Sequence, residues 1–198
     1  MATYNNIFKI THNNLLPAQG SILISEPFLQ EAYFQRSVVL LVEHTDDGSM
    51  GLVLNKKTDL VVNTFFPELE KFPEIPIYLG GPVSANRLFF IHSLGDLIIP
   101  DSLKIKDHLY FDGDFEALKR YIQNGHSIDG KVKFFLGYSG WTEGQLGNEI
   151  NHNSWVVSHA SKENVLLADG EDFWKDSLGE LGSNYEAWTK YPKDPYLN

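Results

Sequence analysis

Between Lys131 and Trp155 an apolar run meets a cluster of glycines, two tryptophans and a helix start, and no other stretch limits the fold as much. Val132, Phe134, Phe135 and Leu136 suit a strand buried on one or both faces. Gly137 and Gly140 bracket Tyr138 and Ser139, which predicts a sharp, glycine-shaped exit from that strand. Thr142 with Gln145 three residues on reads as a capping box, so a short helix is expected from Glu143. Such a strand, turn and helix N-terminus can aim free amides at one point and attract an anion. Phosphate loops, however, carry Lys-Ser or Lys-Thr at the helix start, and dinucleotide folds carry G-x-G-x-x-G. Neither is present, and Glu143 opposes an anion, so the favoured reading is a tight turn that packs Trp141 and Trp155.

Catalytic and metal patterns are incomplete. Gly137 to Trp141 approaches the hydrolase elbow G-x-S-x-G around Ser139, but tryptophan occupies its last position. Glu149 and His152 form one Glu-x-x-His pair, whereas carboxylate-bridged metal bundles need two pairs and further glutamates. The histidines are scattered without the spacing that puts two on one metal. His44 and His92 end predicted strands and form the one pair worth inspecting. No catalytic residue, metal or cofactor is assigned.

The chain has 198 residues, 42% of them hydrophobic, which suits a single domain with a sizeable core. It has no cysteine, so disulfides and thiolate chemistry are excluded and a reducing compartment is compatible. No basic and apolar leader opens it and no apolar run is long enough to span a bilayer, so a cytoplasmic protein without a membrane partner is expected. The formal charge of −10 opposes direct nucleic-acid binding, which draws affinity from basic side chains neutralising phosphates.

Residues 1–19 read as a lead-in, with Ile7, Ile10 and Leu15 as apolar anchors. Strands are expected at 21–25, 77–79, 88–92, 97–99, 109–111, 132–136, 154–159 and 165–168. Residues 37–44 and 50–55 should form a hairpin about the Asp-Gly turn. Helices are expected from Asp59 to Phe66, from Asp114 to Gly125, and over 171–181, where Phe173, Trp174, Leu178 and Leu181 share a face. The tail, 183–198, is rich enough in aromatics to dock on the domain. Since the Asp114 helix leads into the Lys131 stretch, a right-handed β-α-β crossover is expected.

The run Gly137-Tyr138-Ser139-Gly140-Trp141-Thr142-Glu143-Gly144-Gln145-Leu146, with Glu149 and Trp155, resembles the signature of the bacterial YqgE/AlgH family. Gly48 to Asn55, Tyr78 to Val83, and Gly20 to Pro27 with Phe34 and Arg36 to His44 resemble it too. The likeness implies an α+β protein, commonly labelled a transcriptional regulator, with no established catalytic residues. The fold expected is a single α+β domain on a bent mixed β-sheet or partial barrel with a few flanking helices.

Three functional classes follow. The leading one is a binding or scaffold module, with a glycine-lined cleft for a small ligand or protein partner formed by Asn55, Gly80, Gly81, Pro82, Gly137, Gly140, Trp141, Gly144, Gln145 and Glu149. Glycine-marked segments that leave strands motivate it. The alternatives are a regulator acting through a partner, and a hydrolase using Ser139, Glu149 or His152.

Overall fold

A computed structural model describes residues 13–159 and 161–193; the Ile7 and Ile10 anchors and the end of the tail lie outside them. In chain order its strands are β1 (Ser21–Ser25), β2 (Val38–Thr45), β3 (Gly48–Val53), β4 (Lys57–Val61), β5 (Pro76–Leu79), β6 (Val83–His92), β7 (Leu103–Lys106), β8 (Leu109–Phe111), β9 (Val132–Thr142) and β10 (Trp155–His159). The helices are α1 (Val62–Phe65), α2 (Phe115–Gln123), α3 (Gln145–Asn151), α4 (Lys162–Leu167), α5 (Gly170–Gly179) and α6 (Ser183–Glu186). The strands form one open sheet in the order β10-β1-β2-β3-β9-β6-β8-β7, from which β5, paired with β9, and β4 branch. The β5–β9 pair is parallel and the other pairs are antiparallel, so the protein is α+β with a mixed sheet.

Both faces of the sheet are buried, and alternation along the strands sorts side chains between them. Ile22, Ile24, Val38, Leu40, Leu52 and Phe135 meet Trp174 and Leu178 of α5 and Tyr185 and Trp188 of the tail in one core. On the other face Leu23, Val39, Leu41 and Val53 join Trp141, Trp155 and Leu146 of α3. Further along that face, Ile77, Phe90 and Phe134 pack under Leu118 and Ile122 of α2. Asp114 caps α2 by accepting the Ala117 amide at 3.1 Å, as its position in the sequence predicts. Because β8 and β9 both run antiparallel to β6, they are parallel to each other, and α2 is the crossover between them.

The expected exit at Gly137 is not a turn: β9 continues for eleven residues and changes neighbour instead. Its first half lies beside β5 and its second half beside β3. Gly137, at φ +67°, breaks the regular alternation of the strand. Phe135 before it and Tyr138 after it both face the α5 core, so the alternation slips by one and Trp141 is delivered to the opposite face.

The chain crosses over β9 at the same point. β5 and β6 flank β9, and Gly80, Gly81 and Pro82 carry the backbone from one side to the other. A Cβ on Gly80 would collide with the Gly137 carbonyl, and one on Gly81 with the Tyr138–Ser139 peptide. Three hydrogen bonds hold Gly80 there: its amide donates to Leu136 O at 2.8 Å, while its carbonyl accepts the Val53 amide at 2.9 Å and the Ser139 hydroxyl at 3.1 Å.

Other local expectations are corrected. The segment after Asn55 is strand β4 before it is helix, because Thr58 donates to Ile77 O at 2.8 Å and draws it onto β5. Residues 97–99 form turns, with Leu97 exposed, and β7 is a strand its sequence did not announce. Residues 165–168 belong largely to helix α4, which Ser161 caps by accepting the Asn164 amide at 3.1 Å. Helix α3 starts at Gln145 rather than Glu143, behind Gly144 at φ +70°.

Gly81→Ala places a Cβ on the crossed peptide at a φ of +154° and should destabilise the domain by about 2–4 kcal/mol in urea unfolding. Gly147→Ala, where a Cβ meets open space within α3, should instead stabilise by about 0.5–1 kcal/mol.

Candidate functional site

The residues singled out in the sequence fall into three groups. Gly80, Gly81, Pro82 and Gly137 form the crossing, where backbone lies directly on backbone and the missing Cβ atoms of the glycines give it room. Trp141, Gln145 and Glu149 form the second group. The Glu149 carboxylate accepts the indole N–H groups of both Trp141 and Trp155 at 2.8 Å on one oxygen and the Gln145 amide at 2.9 Å on the other. Gln145 in turn accepts the Thr142 amide at 3.1 Å, the return half of the expected capping box. Gly140 and Gly144 are exposed nearby. Asn55 lies between Val53, whose amide donates to Gly80 O, and Lys56, whose carbonyl accepts the Leu79 amide. Buried beneath β2, it accepts the Val38 amide at 3.0 Å and donates to Arg36 O at 3.1 Å and Gly170 O at 2.8 Å, which ties β2 to the start of α5.

These bonds also occupy the groups considered for hydrolysis. Ser139 is fully buried and gives its hydroxyl to Gly80, Glu149 serves the two indoles, and His152 is exposed at the end of α3 against Asn148 O. His44 and His92 are not brought together. His44 pairs across to Ser49 and so lies near Trp141, while His92 faces Val132 at the other end of β9, roughly 30 Å of extended chain away. Among the described residues no cluster of three or more metal-ligating side chains occurs.

A different place combines space with chemistry. Where β5 and β9 begin, a cavity of about 650 Å³ opens between the loop before β5, the loop from α2 to β9, and α4 with the residues after it. That volume lies within the usual range for small-molecule sites. Its walls are mainly apolar, among them Phe72, Ile75, Ile122, Ile128, Val132 and Leu167. Its lining includes the buried Tyr78 of β5 and Lys133 of β9, with the exposed Asp169 from the link between α4 and α5 beside them.

Lys133 is only 4% exposed. Its Nζ donates to the Ala168 carbonyl and stands 3.7 Å from the centroid of the Tyr78 ring. Burial pushes the ammonium down to about 7; Asp169 pulls it back toward the charged form and Lys57 adds to the depression. Burial pushes the Tyr78 hydroxyl up to about 12, and the charge of the Asp169 carboxylate adds to that rise. The cavity therefore presents a buried amine near its neutral point and a protonated phenol, with an exposed carboxylate at its wall. The signal in the sequence was a charged residue at an inward position of an apolar strand, Lys133 between Val132 and Phe134. It is legible only as an anomaly, since Tyr78 and Asp169 are distant in the chain.

An open mixed sheet, crossed by its own chain and covered on both faces by short helices, defines a fold class shared with two solved structures. A crystal structure of a Corynebacterium diphtheriae protein superposes with a TM-score of 0.74 at 23% identity, covering 92% of this chain and 95% of that one. The solution structure of the AlgH protein from Pseudomonas aeruginosa superposes with a TM-score of 0.69 at 28% identity, covering 92% and 98%. The profile of the AlgH-like family matches residues 22–186, and the chain belongs to that family. A UPF0301 protein of Parabacteroides distasonis is 77% identical over the whole length of both chains. Another, from Bacteroides fragilis, is 48% identical over 98% of this chain and 97% of its own. No helix among the described residues is long and apolar enough to cross a membrane.

Two outcomes follow for the buried polar groups. Trp141→Ala removes a ring that is 6% exposed and should cost about 3–5 kcal/mol in chemical denaturation. His92 is buried against Ser102 Oγ at 2.9 Å and Asp112 O at 3.2 Å, and burial pushes it down to about 4. The unfolded chain takes up that proton near pH 6.5 while the folded chain refuses it until about 4, so this stability is present above pH 6.5 and lost as pH falls to 4. Melting followed across that window should show the wild type losing about 3 kcal/mol more than His92→Gln.

Proposed function

We propose that this protein is a non-enzymatic binding module that holds a small, largely apolar ligand in the cavity lined by Tyr78, Lys133 and Asp169. The observation that carries the reading is the convergence of three ionisable side chains from separate elements, Lys133 and Tyr78 buried and Asp169 exposed, on the lining of one mostly apolar cavity. Ligand sites combine such walls with a few convergent polar groups that fix orientation.

The glycine crossing supports this role as a frame rather than as a wall. It fixes β5 against β9, and with them Tyr78 against Lys133, in a register of Tyr78 opposite Phe135. Asn55 has a matching part: by holding the Gly170 carbonyl it positions the residue next to Asp169.

A thermal-shift screen of metabolites tests the reading. A ligand at about one hundred times its dissociation constant should add about 2.7 kcal/mol. Leu167→Asp, which puts a charge on an exposed residue of the cavity wall, should weaken that ligand about tenfold with little effect on the free protein. A library that leaves the melting temperature unmoved would count against the module.

A further inference from the structure

A buried lysine amine on the lining of an apolar cavity, with a phenol and a carboxylate beside it, is the arrangement in which amines condense with carbonyl compounds. We propose that Lys133 captures an aldehyde or ketone carried by an apolar ligand, holding it as an imine on Nζ. This rests on the cavity being a ligand site and names the chemistry of its occupant.

The step balances within the residues present. The Nζ lone pair forms a bond to the carbonyl carbon, and the C=O π electrons move to oxygen. A proton passes from nitrogen to that oxygen to give a carbinolamine. The hydroxyl then takes up a proton, the C–O bond breaks and water leaves, and the nitrogen lone pair closes the C=N bond as the last N–H proton returns to the group that supplied the first. No oxidant or metal is consumed. Tyr78, whose ring lies 3.7 Å from the amine, and Asp169, whose charge acts on both, are the groups placed to pass those protons. The Ala168 carbonyl, which accepts from Nζ, orients the amine in its neutral form as well as in its charged form.

The surroundings decide whether a neutral amine is available. From β5 the aromatic face of Tyr78 meets Nζ, from the α4–α5 link comes the Asp169 carboxylate, and from β4 Lys57 contributes a like charge. Glu74, His126 and Asp129 line the cavity with them. The net result keeps the amine near half-neutral at neutral pH, whereas a solvated lysine, with a value near 10.4, is almost wholly protonated. Capture should therefore rise through about pH 7 at Lys133 and only near pH 10 at surface lysines.

The full chain is incubated with hexanal at pH 7.5, reduced with cyanoborohydride, digested, and each lysine scored for a hexyl group by mass spectrometry. Lys133 should carry at least about ten times the label of a typical surface lysine. Tyr78→Phe, which keeps the ring under the amine and removes the hydroxyl, should slow that labelling by about tenfold or more. Label spread evenly over the lysines would overturn the imine. If hexanal still raises the melting temperature and Leu167→Asp abolishes the rise, the cavity reading survives that loss. Should hexanal neither shift the melt nor mark Lys133, both readings fall together. Since the decisive comparison is made among lysines of the unaltered protein, it does not depend on any variant folding.

Discussion

Everything in this fold turns on one close approach: the backbone of Gly80 and Gly81 lying on the backbone of β9 at Gly137. A sheet strand normally has its two neighbours in place along its whole length. Here β9 exchanges β5 for β3 partway along, and the departing chain passes over it to become β6 on the far side. The exchange needs the space that three missing side chains provide. It also needs the break in alternation at Gly137, which turns Trp141 toward α3 while Phe135 keeps to the α5 core. Two cores on opposite faces are thus filled by one strand.

The cavity is a consequence of the same arrangement. Parallel pairing of β5 with β9 places their first residues together, and the chain entering each strand must arrive from the same end. Those two entering loops and α4 surround the space without filling it. Lys133 then occupies an inward position in a strand otherwise built of large apolar residues, and the fold offers it one carbonyl, one aromatic face and one carboxylate. A buried ammonium so sparsely compensated loses its proton readily.

The carboxylate that completes the group is held from a distance. Arg36, buried beneath the tail, pairs with Glu171 and donates to Tyr191 O, and Lys193 reaches Glu171 at 2.5 Å. Those charges hold the Glu171 carboxyl down at about 2, its own desolvation notwithstanding. With Asn55 on Gly170 O, they fix the first turn of α5 and, one residue before it, Asp169. The aromatic tail is therefore part of the support of the site, since Tyr185 and Trp188 close the core against which α5 rests.

What the sequence determined by itself was whatever depends on neighbours in the chain. The β2–β3 hairpin, the Asp114 cap, the stripe of α2 and the docking of Tyr185 and Trp188 all follow from periodicity, turn chemistry and local hydrogen bonds. The importance of Gly80, Gly81 and Gly137 was also visible, but not its meaning. Glycine marks both a turn and a place where another backbone lies close, and only the partner strand tells the two apart. Tertiary structure alone decided that β9 runs straight through its glycines, that 165–168 coils instead of extending, and that Ser139 and Glu149 spend their hydrogen bonds on Gly80 and two indoles. It alone also joined Tyr78, Lys133 and Asp169, because the parallel pairing that brings β5 to β9 is a contact between distant segments, and no local pattern encodes a distance across the sheet.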